Sequence, residues 1–519
     1  MPEQFKLTRI PTLKTVADFR NHVASLGLNL PCEDAIAPGV DSPLVQPVPN
    51  VTVNGKRIGN RWAIHPMEGW DATTTGGATN EVRRRWQRFG ESGAKVIYGG
   101  EAMAVRPDGR ANPNQLLITE ENKGDLAEIR DLLVKAHRER YGTADDLIIG
   151  FQLTHSGRFC KPTDKKRMEP RVAFRHPILD RKFNVTSDAQ VFTDAEIEEL
   201  IQCYIRAAKI ARDVGADFVD IKHCHGYLLH EFLGAHTRLG KFGGGFENRT
   251  RILRDIIAGI RASGNVIDIG VRLSAFDFVP FKPDPTRAEP GKLGPGVPED
   301  FSHCLPYRYG FGVNESNPVE YDLTETFQFA ELCAQLGVKI LNLSAGSPYY
   351  NPHIQRPAAY PPSDGYQPAH DPLIDVARQI NVVRMIKEHC SRRRKEAEQH
   401  PDNDGESASS PRRLPQRPVL IGTAYSYLQE YLPHVAQYAV RHGWTDMVGL
   451  GRMVLSYPEM LADATTKGAL TPKLICRTFS DCTTAPRNGI ISGCYPLDKH
   501  YSARPEFTQL KEIKKATGA

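Results

Sequence analysis

The chain has 519 residues, 40% of them hydrophobic and 24% charged, an ordinary globular composition with room for one large domain or two or three small ones. Its formal net charge of +5 is spread along the sequence without an Arg/Lys block and interleaved aromatics, which argues against a nucleic-acid partner and favours an anionic cofactor or substrate only weakly. No run approaches the ~20 apolar residues that span a bilayer, and the N-terminal "MPEQFKLTRIPTLKTVADF" carries charges where a signal peptide needs an apolar core.

The ten cysteines are therefore expected as reduced thiols in a soluble cytoplasmic protein. A small-molecule substrate is the expected partner, with no membrane, and a homo-oligomer is left open.

Eight apolar runs read as buried strands, in order 60–67, 94–102, 145–155, 217–222, 265–275, 338–346, 418–424 and 445–452. Helical patterns separate most of them. The clearest, residues 193–216, opens with Thr193 and Glu196 at capping-box spacing and repeats Ile197, Ile201, Ile205, Ala208 and Val214. Strands and helices in alternation imply a parallel α/β architecture, and eight strands close a (β/α)8 TIM barrel. A doubly wound sheet is the alternative, but its Gly-x-Gly-x-x-Gly turn is missing.

Two segments break the rhythm. Residues 276–320, rich in Pro and Gly after the fifth strand, read as a long active-site loop whose Tyr307, Arg308, Tyr309 and Phe311 would roof the site. Residues 391–416 are almost devoid of apolar side chains and read as a polar, solvated or disordered insertion. The barrel is placed at 51–465, with extensions at 1–50 and 466–519.

Function gathers at the C-terminal ends of barrel strands. The first strand ends in His65, Pro66, Met67 and Glu68, the second in Gly99, Gly100 and Glu101, and the third in Gln152 and His155. The fourth, "DFVDIKHCHGYLLHEFL" (217–233), concentrates proton-handling groups. Side chains two apart share a face, so Val219 and Ile221 should meet the helices while Asp220 and Lys222 point inward. That leaves an Asp220–Lys222 ion pair as the structural reading and puts His223 on the apolar side. The His-Cys-His triplet also invites a zinc site of a barrel hydrolase, but the later strands offer Arg272, Ser344, Thr423 and Arg452 rather than further ligands. No metal ligand is assigned.

The strings "NRWAIHPMEG", "GFQLTHSGR", "DFVDIKHCHGYLLHEFL", "GGGFENRTR", "VRLSAFD" and "VGLGRMVLSYPEML" run in order from about residue 60 to 460. In kind and sequence they resemble the old yellow enzyme family of FMN-dependent oxidoreductases. The resemblance implies that Gln152 meets the flavin pyrimidine edge and that Arg272 stands beside N1 and O2, where charge appears on reduction. It implies that Pro66 and Met67 turn against the isoalloxazine, with Glu68 beside them. Gly422, Thr423, Gly451 and Arg452 would grip the phosphate, and Gly100 and Gly346 are assigned to the cofactor at their strand ends. On the fourth strand, His225 would hold the substrate oxygen, besides touching the cofactor, and Tyr227 would supply the proton.

Three departures qualify the resemblance. Lys222 stands where the family usually has histidine; as a cation it could stabilise an oxyanion and would repel an amine. Glu68 replaces the usual Thr or Cys, and a carboxylate there should lower the flavin potential or rotate away. Larger relatives, dienoyl-CoA reductase and trimethylamine dehydrogenase, carry a four-cysteine [4Fe–4S] site and a second nucleotide-binding region. Here Cys476, Cys482 and Cys494 lack the preceding C-x-x-C pair, so no cluster is expected, and neither is the second region.

The expected activity takes hydride from NADH or NADPH through FMN to an activated C=C bond of a carbonyl substrate, with Lys222 and His225 on the oxygen and Tyr227 as acid. Three alternatives stay open: oxidative N-demethylation of a methylated amine, with Tyr349 and Tyr350 contributing to a cage; a metal-dependent barrel hydrolase; and a flavin-binding barrel that has lost its chemistry.

Overall fold

Every residue of the eight barrel strands but one is buried, which is why they read as continuous apolar runs. In the structure, a computed structural model that describes residues 7–399 and 416–518, these strands are β1 (Trp62–Ile64), β2 (Val96–Ile97), β3 (Ile148–Thr154), β4 (Phe218–His223), β5 (Asp268–Ser274), β6 (Ile340–Ser344), β7 (Val419–Gly422) and β8 (Met447–Leu450). All pair in parallel, each with the next, and β8 closes on β1 through Val448 opposite Trp62. A second short strand, Ala102–Ala104, extends the β2 edge along β3. The fold is the expected (β/α)8 barrel.

Strand parity sorts the side chains. Ile64, Ile97, Ile149, Val219, Ile221, Val271, Leu341, Leu420 and Val448 join one large apolar core with the surrounding helices. Ala63, Val96, Ile148, Phe218, Ile340, Val419, Ile421 and Met447 form a separate cluster that fills the barrel with Tyr98. Farther along the same inward face the side chains turn polar: His65, Gln152, Asp220, Arg272 and Asn342. The barrel is thus plugged by hydrocarbon at one end and by hydrogen-bonding groups at the other.

Connecting helices include Asn80–Glu91, Lys123–Tyr141, Asp194–Asp213, Arg251–Ala262, Thr324–Gln335, Leu373–Gln399 and Leu432–Arg441. Asp194–Asp213 starts where the capping box predicts, with Thr193 and Glu196 exchanging both bonds. The polar stretch 391–416 divides: residues 391–399 continue the helix Leu373–Gln399, and 400–415 lie outside the described residues.

N-terminal residues pack on the barrel through Phe19, whose ring stacks on Tyr431 with centroids 4.4 Å apart. At the other end, Ala485, Ile490, Tyr495, Tyr501 and Leu510 build a small core of their own. No helix among the described residues is long and apolar enough to cross a membrane.

The loop 276–320 corrects an expectation. It forms an antiparallel pair, Phe281–Pro283 with Gly296–Pro298, and none of its residues lines the main cavity. Tyr307 pairs with His176 Nε2 at 3.2 Å, Tyr309 packs on the same imidazole, Phe311 on Phe329, and Arg308 pairs with Glu315. Aromatic partners supplied by the segment after β3 and by the helix Thr324–Gln335 draw these rings away from the barrel mouth.

Candidate active site

A cavity opens at the C-terminal ends of the strands, where the inward side chains become polar. Of the residues singled out from sequence, Pro66, Met67, Glu68, His225, Tyr227, Arg272, Thr423, Gly451 and Arg452 line it. Lys222, Gln152, Gly100, Gly346 and Gly422 do not.

Each of those five has a local reason for standing back. Lys222 Nζ lies 2.6 Å from Glu68 Oε1 and 3.6 Å from the centroid of the Tyr227 ring, which covers it. Gln152 donates to Asp220 at 2.5 Å. Gly100 turns with φ of 56°, and a Cβ there would meet the Trp86 indole; its carbonyl accepts from Met67 N at 3.0 Å, so it supports the floor from behind. Gly346 turns against Asn351, and Gly422 packs on Thr445 and Tyr425. The Asp220–Lys222 ion pair considered from sequence does not form: Asp220 goes to Gln152 and Lys222 to Glu68. Glu68 rotates accordingly, its second oxygen accepting from Trp70 Nε1 at 3.1 Å.

Electrostatics fix the protonation states. Burial, then the Glu68 carboxylate and the Tyr349 hydroxyl, hold the Tyr227 phenol well above its usual range, so it keeps its proton. Its hydroxyl lies 2.8 Å from that of Tyr349. His225 sits in the left-handed region at φ 66°, with its amide donating to Ser274 Oγ and its Nε2 2.8 Å from Ser344 Oγ. Burial, Arg272 and Lys222 depress its pKa, so the ring is neutral. His65 is neutral for the same leading reason, with Asn342 Nδ2 3.0 Å from its Nδ1. Burial raises the Asp220 carboxyl to about 7 against the pull of Gln152 and Arg272.

Arg272 donates to Pro66 O at 3.1 Å and has no carboxylate partner. The zinc reading loses its geometry, because the triplet splays. His223 Nδ1 pairs with Ile221 O at 2.8 Å and its ring packs on Phe329 outside the barrel, while His225 turns into the cavity. Among the described residues no group of three His, Cys, Asp or Glu could hold a metal ion.

Residues missed from sequence complete the walls. Trp70, Gln355 and Arg356 face the cavity, and Thr483, Pro486, Arg487 and Ser492 come from the C-terminal extension. That extension, with Pro348–Tyr349, takes the place assigned to loop 276–320. It is fastened by Ser492 N donating to Asp71 Oδ1 at 2.9 Å, and by Arg487, which pairs with Asp364 and stands over the Tyr349 ring. Cys482 also lines the cavity, and it shares a small crevice beside Arg452 with Cys476 and Cys494. The Met-Glu-Gly-Trp string was the one available signal for Trp70; Arg356, in a proline-rich stretch, had none.

Comparison with known proteins agrees with this architecture. The model of the NADH:flavin oxidoreductase / NADH oxidase family matches residues 44–293. An NADPH dehydrogenase of Geobacillus sp. (strain WCH70) is 32% identical over 241 residues, 44% of this chain and 63% of that protein. The chain therefore matches less than two thirds of that relative. In fold it is similar to the old yellow enzyme homologue from Zymomonas mobilis, with a TM-score of 0.52, 18% identity, and 82% of this chain and 94% of that one covered. It is also similar to histamine dehydrogenase from Rhizobium sp. 4-9, with a TM-score of 0.55, 18% identity, and 88% and 52% covered. Just under half of the chain, residues 44–293, is thus similar to the NADH:flavin oxidoreductase / NADH oxidase family.

Proposed function

We propose that the protein is an FMN-dependent oxidoreductase that takes hydride from NADH or NADPH and reduces an electron-poor C=C bond conjugated to a carbonyl. The observation that carries the reading is one cavity holding a protonated tyrosine, Tyr227, a buried cation without a counter-ion, Arg272, and the strand-seven and strand-eight residues Thr423, Gly451 and Arg452.

The residues present fit such a cofactor. Buried polar atoms without a partner include Arg272 Nε, His65 Nε2, Gln355 Oε1, Arg356 Nη1 and Arg452 Nη1, and all five belong to cavity-lining side chains. Unpaired groups of this kind are costly unless a ligand meets them. FMN, when bound, supplies hydride to the substrate carbon.

Arg272 would stand beside the ring edge that gains negative charge, fixed by Pro66 O so that no reorganisation is needed. Tyr227 would deliver its hydroxyl proton to the substrate α-carbon, and Tyr349, at hydrogen-bond distance and partly exposed, would return one. Lys222 holds Tyr227 from beneath and neutralises Glu68, so it acts through them and not by gripping the substrate oxygen directly. His225 presents a neutral ring to the cavity.

A second reading has one observation in its favour. Trp70, Tyr227 and Tyr349 line the same cavity as the Glu68 carboxylate, an arrangement that suits a methylated ammonium over aromatic faces. Against it, the Glu68 charge is already matched by Lys222.

Anaerobic titration of the purified protein, followed by visible absorbance, tests both. Bleaching of a flavin band by NADH or NADPH, and its return with cyclohexenone, is the expected result. Bleaching by a methylated amine alone would transfer the assignment to amine oxidation, and a preparation that takes up no flavin would overturn both.

A further inference from the structure

Two hydrogen-bonded phenols at the cavity wall are each faced by a cation. Tyr227 and Tyr349 meet oxygen to oxygen at 2.8 Å, and their rings lie edge to face with centroids 5.9 Å apart. Lys222 Nζ is 3.6 Å from the centroid of the first ring, and Arg487 Cζ is 5.0 Å from that of the second. Lys222 is matched by Glu68 on the cavity floor. Arg487 comes from the C-terminal extension, outside the residues 44–293 that match the family.

Arg487 is the last residue of the helix Asp481–Arg487, and its guanidinium is held on two sides. Nη1 donates to Asp364 Oδ1 at 2.5 Å and Nη2 to Pro348 O at 3.0 Å. One side chain thus faces the Tyr349 ring and also holds the backbone just before it. Phe159 stacks on that ring with centroids 4.0 Å apart, and Lys182 Nζ donates to Tyr349 O at 2.9 Å. The helix in turn is bound to the segment after β6, with Ser363 N donating to Thr484 Oγ1 at 3.3 Å and Asn488 Nδ2 to Ser363 Oγ at 3.0 Å. Tyr349 is fixed from several directions, so charge on its oxygen develops beside a guanidinium already in place.

The pair is asymmetric. Burial first and Glu68 second push both phenols up; Arg487 and then the shared hydrogen bond pull Tyr349 back, whereas that same bond raises Tyr227 further. Tyr227 is the better keeper of a proton and Tyr349 the better seat for a negative charge. When Tyr227 protonates the substrate α-carbon, a C–H bond forms and the phenolic O–H bond breaks, leaving the electron pair on oxygen. Tyr227 is only 1% exposed, so its next proton comes across the 2.8 Å bond from Tyr349. The charge then rests on Tyr349, which is partly exposed and takes a proton from water at the cavity mouth.

We infer that Arg487 is a positioning residue of this proton relay: it holds Tyr349 against Tyr227 and stabilises the phenolate that the relay leaves on Tyr349. The inference rests on the C=C reduction read above and gives the C-terminal extension a part in the chemistry. A double-mutant cycle tests whether Arg487 acts through Tyr349, with reoxidation of the reduced flavin by cyclohexenone followed by stopped flow in the flavin-loaded protein. Tyr349→Phe and Arg487→Met should each slow this step by about 10-fold, and Arg487→Met should add less than about 2-fold in the Tyr349→Phe background. Arg487→Lys, which keeps a cation over the ring, should restore most of the rate that Arg487→Met loses. In urea unfolding the same two substitutions should be additive, because phenylalanine keeps the ring that Arg487 faces. Should Arg487→Met fail to fold, Asp364→Asn loosens the guanidinium and takes its place in the cycle, with a smaller loss and the same dependence on the Tyr349 hydroxyl.

Equal slowing by Arg487→Met with and without the Tyr349 hydroxyl overturns the inference, as does no slowing or a loss that Arg487→Lys leaves whole. Coupling of the same size in urea unfolding would trace the effect to packing and overturn it too. A reduced flavin that cyclohexenone fails to reoxidise in the unaltered protein overturns the C=C reduction itself, a distinguishable result.

Discussion

Lys222 and Glu68 form an ion pair at 2.6 Å across 154 residues of sequence, joining the turn after β1 to the end of β4 directly beneath the Tyr227 ring. Neither residue follows the pattern usual in the family that the chain resembles, and each accounts for the other. A lysine alone would leave a buried cation, and a glutamate alone would leave an unmatched carboxylate at the cavity wall. Together they bring near-neutral charge to the cavity floor.

If the proposed function holds, breaking the pair from either side should therefore move the potential of the flavin in opposite directions. Glu68→Gln removes a negative charge and should raise the midpoint potential; Lys222→Met exposes the carboxylate and should lower it. Shifts on the order of tens of millivolts are expected from a single charge at this range. Both variants should lose about 3 kcal/mol of stability, since each strands one charge. Potentiometric titration and urea unfolding check the two claims, and potentials moving in the same direction would refute the electrostatic account.

Tyr227→Phe should spare hydride uptake from NAD(P)H and slow the transfer to an alkene by about 10²–10⁴-fold, the usual contribution of a positioned acid. Because burial, Glu68 and Tyr349 all raise the phenol's pKa, the step in the unaltered protein should show no loss of rate on the alkaline side through pH 9. Stopped-flow measurement of each half-reaction separates these effects. Slowing of hydride uptake in the variant would remove Tyr227 from the role of acid.

Much of this arrangement was legible in the sequence, and what escaped has a physical pattern. The strands were readable because both faces are buried and because the inward parity of β4 turns from Phe218 to Asp220 to Lys222. Tyr227 and Arg272 were readable because their motifs are local. The Lys222–Glu68 pair was not, since parity says which way a side chain points but not which strand supplies its partner. Arg356 carries no local signal in "NPHIQRPAAYPP", and its meaning comes from an Nη1 that nothing in the fold satisfies. The roof was misassigned because Tyr307 and Tyr309 look equally ready to stack on a ligand or on His176.

Gly449 in β8 tests how tightly the fold and the cavity floor are joined. A Cβ there would fall 2.0 Å from Cε1 of His65, whose Nδ1 is held by Asn342. Gly449→Ala should cost about 1–3 kcal/mol through overpacking and lower flavin occupancy by displacing the imidazole. Urea unfolding and the flavin-to-protein absorbance ratio measure both, and an alanine accepted without loss in either would show that the floor can move.

Asp220 provides a stability signature in pH. Its carboxyl is held at about 7 in the fold, against about 3.9 in an unfolded chain, so between these values the folded state binds more protons. Stability from this group is greatest below pH 4, falls as pH rises through 4–7, and levels off above 7, where the buried charge costs up to ~4 kcal/mol. Asp220→Asn keeps an oxygen able to accept from Gln152 and removes the charge. The variant should match the unaltered protein near pH 4 and exceed it increasingly toward pH 7.5, as read by urea unfolding across the series. A gap constant with pH would mean that Asp220 is ionised throughout, with Arg272 close enough to hold it so; the cation would then be partly spent inside the barrel and less available to the flavin.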